Sequence, residues 1–167
     1  MKKLGPTGVK TLKIAHLLFA ILWIGGGIAL ITILFTTQPT TGEELFIRSR
    51  VLQIIDDYMI IPGAMATLVT GLVYSIWTNW GFFKHNWISV KWVFTIAQIL
   101  FGALVLGPWV NNNVEMASTL GSAALTNEVL NHNIMMSKLW GSIQVLLLIL
   151  LVVISVIKPW RKKSKKQ

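Results

Sequence analysis

The chain contains no cysteine among its 167 residues. This absence excludes disulfide bonds, thiolate catalysis, iron–sulfur clusters and cysteine-based zinc sites. Charge is also scarce, because 13% of the residues are charged and only six are acidic. Histidine occurs three times, at His16, His85 and His132. These shortages leave few candidate residues for any site that needs metal ligands or proton carriers.

Hydrophobic residues, by contrast, make up 54% of the chain and gather into four long runs. About 20 mostly apolar residues cross the hydrocarbon of a bilayer, and uninterrupted runs of this length argue against a soluble helical core. The sequence therefore predicts an all-α membrane protein, with four transmembrane helices in an antiparallel bundle. The single domain 1–167 is expected to contain spans at 14–35, 59–77, 88–110 and 139–157, followed by a basic tail at 158–167.

The charges that flank these runs segregate by sign. Of the 15 lysines and arginines, 12 lie on one set of flanks, whereas all six acids lie on the other. Because basic flanks stay on the cytoplasmic side, we expect a bacterial inner-membrane protein with both termini in the cytoplasm. The first run is too long for a signal-peptide core and is expected to be retained as a helix. The basic residues behind the net charge of +9 then orient the protein in the membrane and attract anionic lipid headgroups. No nucleic-acid partner is therefore predicted.

Two segments between the spans have amphipathic patterns. Residues 43–57 alternate apolar and charged side chains at helical spacing, and two glutamates at the start favour a helix N-terminus. Residues 111–138 space their apolar side chains as in a helix that lies on a membrane face. The sequence therefore predicts two short extracytoplasmic amphipathic helices. The inner loop at 78–87 is short, so the second and third spans are expected to be antiparallel neighbours.

Each predicted span carries one stripe of small or polar residues, which is expected to face the bundle interior. His16 and Lys91 lie on two of these stripes, each about one turn from the cytoplasmic end of its helix. A neutral imidazole at this depth could bind haem iron or exchange protons, and Lys91 could neutralise a porphyrin propionate. A structural alternative is a hydrogen-bonded histidine near the interface, a lysine that reaches lipid phosphates, and a Gln98 that bonds across helices.

The candidate cofactor is thus a haem, with His16 as the ligand of its iron; the resemblance described below implies that it is haem b. The other candidate contact residues share the inward stripes or the basic end of the first helix: Lys91, Lys13, Trp23, Gln98 and Tyr74. No span contains a second histidine, and His132 is separated from His16 by about 30 Å of hydrocarbon, so a relay of bis-histidine haems is excluded. A single haem stays open, with a second ligand that is weak, absent or supplied by another chain of a homodimer. Any turnover would be that of a haem-dependent oxidoreductase, and no catalytic residue is identified.

A second candidate site lies on the predicted outer segment. His132, Met135 and Met136 share one helical face, and imidazole with thioethers is a suitable soft set for Cu(I). Met116 could add a further sulfur. The structural alternative is that these methionines face lipid or core. His85, in the inner loop, is expected to be solvated, and the absence of acids from the spans offers no relay for active transport.

Three stretches of the chain resemble a superfamily of small bacterial membrane proteins. LKIAHLLFAILWIGGGIAL is similar to its opening helix, and WISVKWVFTIAQILFGALVLGPW is similar to a later helix that opens with tryptophan and lysine. The superfamily includes HemJ-type protoporphyrinogen oxidases, copper-resistance CopD-like domains and a family of predicted integral membrane proteins. DDYMIIPGAMATLVTGL looks most like that last, uncharacterised family.

The resemblance covers roughly residues 10–110 and carries functional implications. HemJ-type proteins bind b-type haem and use a histidine of the first helix and a lysine of a later helix, which correspond to His16 and Lys91. The third run lacks the additional histidine of that group. CopD-like domains imply copper handling. A non-enzymatic membrane accessory protein, whose polar stripes only pack helices, is the alternative to both.

Overall fold

The computed structural model describes residues 3–159, in which every regular element is helical. The α-helices of this part are α1 Pro6–Thr36, α2 Gly42–Ile55, α3 Ile61–Trp77, α4 Asn86–Phe101, α5 Gly107–Leu120 and α6 Glu128–Ile157. Two π-helical turns, Asp56–Ile60 and Gly102–Leu106, link α2 to α3 and α4 to α5. A 3₁₀ segment, Gly121–Thr126, precedes α6. The predicted all-α fold is confirmed.

Four continuous helical runs are long and apolar enough to cross a membrane: Pro6–Thr36, Gly42–Trp77, Asn86–Thr126 and Glu128–Ile157. Each run contains one of the predicted spans. Their outward surfaces are strongly apolar, and side chains such as Ile14, Leu104 and Val156 are 60%, 73% and 76% exposed. A helix that is apolar on all its faces is typical of a membrane span rather than of a surface helix in water.

The two amphipathic segments continue the spans instead of forming separate elements. The helical backbone runs from α2 through a π-helical turn into α3, and from α4 through the second turn into α5. Pro62 and Pro108 each lie just after a π-helical turn, in the first turn of the following α-helix. Proline is tolerated at that position because its missing N–H is not required there. The predicted long outer loop is therefore reduced to residues 121–127, and α5 continues α4 rather than lying apart as a surface helix.

α1 lies at the centre of the bundle and packs closely against α3 and α6. A Cβ built on Gly63 would lie 2.7 Å from the Trp23 nitrogen, and one built on Gly26 would lie 3.0 Å from an Ile60 side-chain carbon. Residue numbers rise along α1 as they fall along α3, so these two helices are antiparallel. Trp23 is only 4% exposed and packs with Ala64 and Leu148 in the middle of the bundle.

The beginning and end of the described chain meet at one end of the bundle. The Leu4 N–H donates to the Trp77 carbonyl at 2.9 Å, and Lys3 hydrogen-bonds to Asn79. The Lys158 ammonium lies 5.2 Å from the centre of a Trp80 ring. We call this end, with residues 3–13, 78–91 and 158, the basic end. The predicted contributions of Lys2 and of residues 160–167 to the charge pattern lie outside the described residues.

The opposite end, with residues 36–57 and 111–138, carries all six acids, and we call it the acidic end. It has a small core of its own, in which Leu45, Ala117, Ala124 and Leu130 are buried together. Gly42 packs directly against the backbone of Gly121, which has a positive φ of 53°. This close approach fixes the start of α2 against the turn between α5 and α6.

Asn127 caps α6 at the acidic end. Its side-chain oxygen accepts a hydrogen bond from the Leu130 N–H at 3.1 Å. We expect Asn127→Ala to lower the free energy of unfolding by about 1 kcal/mol, because one N–H of the first helical turn loses its partner. Denaturant unfolding in detergent would measure the loss. Asn127→Asp keeps an acceptor and should retain most of the stability, so equal losses in both variants would contradict this role.

Candidate functional site

His16 lies on α1 near the basic end and contacts α3. Its Nδ1 lies 2.8 Å from the Thr70 hydroxyl oxygen. Its ring meets the Tyr74 ring edge to face, with 5.8 Å between the ring centres. Thr70 and Tyr74 are four residues apart on one helix, so they share the face that α3 presents to α1. The structure therefore brings His16 and Tyr74 together, two of the residues proposed to contact the haem.

The hydrogen bonds of Thr70 assign the tautomer of His16. The Thr70 hydroxyl lies 2.7 Å from the Ala66 carbonyl oxygen and 3.0 Å from that of Thr67, so its single hydrogen is directed along its own helix. Towards His16 the hydroxyl oxygen must then act as an acceptor, and Nδ1 must carry the imidazole hydrogen. Nε2 keeps its lone pair. This neutral form can bind a metal ion or accept a proton.

Small residues leave the space in which the rings of this site meet. A Cβ built on Gly71 would lie 3.9 Å both from the His16 ring and from the Trp92 ring. Trp92 in turn donates from its indole nitrogen to the Ser75 hydroxyl at 3.1 Å, which joins α4 to α3. The combination of glycine on α3 and an anchored tryptophan on α4 therefore places three helices around His16.

Lys91 precedes Trp92 on α4 and is half-buried. The ring of the neighbouring Trp92 and the ring of His16 both approach Gly71, which places Lys91 at the same level of the bundle as His16. Among residues 3–159 no carboxylate is at this depth, since every aspartate and glutamate lies within 43–57 or 115–128. Asp56, for example, lies beside Gly107, which is 16 residues beyond Lys91, or about 24 Å along a helix. Within the described part of the chain, the ammonium of Lys91 is thus a positive charge that no carboxylate compensates.

The remaining candidates for the haem site lie outside this cluster. Trp23 is a core residue of the α1–α3 contact, seven positions deeper than His16. Gln98 contacts α6, where the Gln144 amide donates to the Gln98 carbonyl oxygen at 2.8 Å. Its own side-chain amide is buried and has no partner among residues 3–159. Lys13 is exposed at the basic end, one turn before His16.

Three residues of the predicted copper site, His132, Met135 and Met136, lie within two turns of α6. His132 is exposed and Met135 is 57% exposed. Met116 instead packs against the core of the acidic end. In residues 3–159 no group of three histidine, aspartate or glutamate side chains is arranged to hold a metal ion. A copper site that uses methionine sulfur is not tested by this arrangement and stays a prediction.

His85 differs from its predicted state. It is half-buried rather than solvated, because its ring stacks on Trp87 with 6.2 Å between ring centres and also meets Trp80 edge to face at 5.8 Å. The sequence does place these aromatic residues together around the inner loop. The loop simply folds back on itself and covers the imidazole.

A polar cluster at the acidic end was missed by sequence reasoning. It consists of buried or half-buried residues from α2, α5 and α6: Arg48, Ser49, Asn113, Asn133 and Ser137. The one available signal was the spacing of Asn133 and Ser137, which are four residues apart and therefore share a helical face. Nothing in the sequence indicates that this face meets Arg48 and Asn113.

Comparison with known proteins identifies a family but no characterised relative. No curated protein and no solved structure matches the chain. A family model described as "Predicted integral membrane protein (DUF2269)" matches residues 10–159. The description supports the uncharacterised family among the predicted resemblances and names neither the HemJ-type nor the CopD-like group. Since the match covers nearly the whole chain, this protein belongs to the DUF2269 family of integral membrane proteins and is a multi-pass member of it.

Proposed function

We propose that this membrane protein binds haem or a related porphyrin at the basic end of the bundle, with His16 as the iron ligand and Lys91 as the partner of a propionate. The observation that carries the proposal is the His16–Thr70 hydrogen bond, which leaves Nε2 unprotonated. Metal-binding histidines are typically held in this way, with the other ring nitrogen donating to a fixed oxygen. Thr70 is accordingly a positioning residue.

The residues present fit a single-histidine haem. Neutral imidazole suits the iron, and the uncompensated ammonium of Lys91 suits an anionic carboxylate. The rings of Tyr74 and Trp92 offer apolar surface beside them. His132 lies at the acidic end and is too distant to be a second ligand in the same chain. Bound haem would supply redox or ligand-binding chemistry, while the chain orients the imidazole and neutralises the propionate.

The basic end would face the cytoplasm of a bacterial cell. Lys10, Lys13, Lys84 and Lys158 gather there in the described chain, and positive flanks are retained on the cytoplasmic side. Haem would then enter the site from the cytoplasmic leaflet. This orientation and the bacterial inner membrane as location are parts of the proposal.

Haem titration of the detergent-purified protein tests the proposed site. Wild type is expected to shift the Soret band and to saturate near one haem per chain, and His16→Ala should not. His85→Ala is the matched control, because it removes an imidazole from the same end of the bundle without touching Thr70. Equal binding by wild type and His16→Ala would contradict the proposal.

Lys91→Met should bind haem more weakly but keep the histidine ligand. The loss of one ion pair at a partly buried site is expected to weaken binding about tenfold, which corresponds to about 1.4 kcal/mol. The shape of the Soret band should not change, since the iron ligand is retained. An unchanged dissociation constant for Lys91→Met would remove the proposed role of this lysine.

A non-enzymatic accessory protein is the competing function. The same His16–Thr70 hydrogen bond also supports this function, because the bond joins α1 to α3 and could serve helix packing alone. In that case His16→Ala would lower stability, and neither variant nor wild type would give a haem spectrum. The titration therefore separates the two functions in one experiment.

A further inference from the structure

A small cavity lies at the acidic end, far from His16. Its volume is about 10 Å³, which is enough for one particle of about the size of a water molecule. α1 contributes an apolar wall through Leu30 and Leu34. The polar part of the lining comes from Arg48, Ser49, Asn113 and Ser137, on α2, α5 and α6, and the Ser49 hydroxyl donates to the Leu45 carbonyl oxygen at 2.8 Å. Four helices thus enclose a site that is apolar on one side and polar on the other.

Three other polar atoms around this cavity have no partners within the described chain. They are the Arg48 Nε, the Asn113 side-chain oxygen and the Ser137 hydroxyl, and one turn from Ser137 the Asn133 amide nitrogen is also unpaired. Asn113, Asn133 and Ser137 are 7%, 5% and 5% exposed. Buried polar groups in proteins are almost always hydrogen-bonded. Three such atoms around one cavity, on three helices, therefore indicate that something besides the described chain bonds to them.

The atoms around the cavity are mainly donors. The Nε–H of Arg48 and the hydroxyl of Ser137 can both donate. Asn113 can present its NH₂ group instead of its oxygen, because the two ends of an amide are interchangeable in their placement. A donor-rich lining with a guanidinium excludes a cation and suits an acceptor.

The charge of Arg48 has no carboxylate partner among the described residues. Its Nη1 donates to the Thr37 carbonyl oxygen at 3.3 Å, which is a neutral partner. Glu44, one turn earlier, directs its carboxylate away to the Thr40 N–H at 2.7 Å and the Thr40 hydroxyl at 2.9 Å. A partly buried charge is costly unless it is paired. We propose that the cavity binds a single small anion of the halide class, held by Arg48 and Ser137.

Thermal unfolding of the full-length protein in detergent tests this site. At constant ionic strength, chloride is expected to raise the melting temperature by several degrees relative to gluconate, which is too large for the cavity. Arg48→Gln should lose the chloride-dependent rise. Arg50→Gln is the matched control, since Arg50 is exposed on the same helix and bonds to Gln53, and it should keep the rise.

Ser137→Ala provides a second variant if Arg48→Gln does not fold. It removes one donor while leaving the charge, and a weakened chloride response would support the site. Equal melting temperatures of wild type in chloride and gluconate would overturn the proposal and assign a water molecule to the cavity. An equal loss in Arg48→Gln and Arg50→Gln would overturn it as well. None of these outcomes bears on haem binding at the basic end.

Discussion

Gly63→Ala is expected to disrupt the contact between α1 and α3 and to lower the free energy of unfolding by about 3 kcal/mol. A Cβ at this position would lie 2.7 Å from the Trp23 nitrogen, 3.0 Å from the Trp23 Cα and 3.1 Å from the Phe19 carbonyl oxygen. All three are backbone atoms, so no side chain can rotate away. The helices must separate instead, and the buried Trp23 loses its close packing. Denaturant unfolding in detergent would measure the change.

Gly25→Ala is the matched control on α1. A Cβ at Gly25 has no heavy atom within 4 Å apart from its own helix. Alanine is favoured over glycine in a helix by about 1 kcal/mol, so this variant should be as stable as wild type or more so. If Gly63→Ala has the same free energy of unfolding as Gly25→Ala, this would contradict the close approach of α1 and α3.

Gln98→Met is expected to stabilise the protein by about 2 kcal/mol. Gln98 is 5% exposed, and both its amide nitrogen and its amide oxygen lack a partner among residues 3–159. Methionine has nearly the same length and no group that needs a hydrogen bond, so the substitution removes a desolvation cost at constant volume. The Gln98 carbonyl, which accepts from Gln144, is retained.

Gln144→Met is the informative control for this substitution. It removes the 2.8 Å hydrogen bond to the Gln98 carbonyl, so we expect a loss of about 1 kcal/mol instead of a gain. The two substitutions are thus expected to change the free energy of unfolding in opposite directions, although both glutamines lie in apolar spans. Destabilisation by Gln98→Met would contradict the prediction and would show that its amide bonds to a group outside the chain.

The spans could be predicted from the sequence because lipid imposes a length and a composition on every crossing. The depth match of His16 and Lys91 also follows from sequence, since a fixed rise per residue converts position into depth. The hydrogen-bond partner of His16, by contrast, could not be predicted from the sequence. Thr70 is one of several polar residues on α3, and only packing shows which of them meets the imidazole.

The acidic end shows a different limit. The amphipathic patterns of 43–57 and 111–138 did predict helices, but not their continuity with the spans. Pro62 and Pro108 look like breaks in a sequence, whereas a π-helical turn before each one lets the helix continue. The cluster around Arg48 depends on three segments far apart in the chain, and no local pattern connects them.

The absorption spectrum of the full-length protein, purified from its native membrane without added haem, tests the central claim most directly. A Soret band is expected in wild type, and it should be absent from a folded His16→Ala variant purified in the same way. A wild-type protein that is colourless, and that stays colourless when haem is supplied, would contradict the assignment of His16 as an iron ligand.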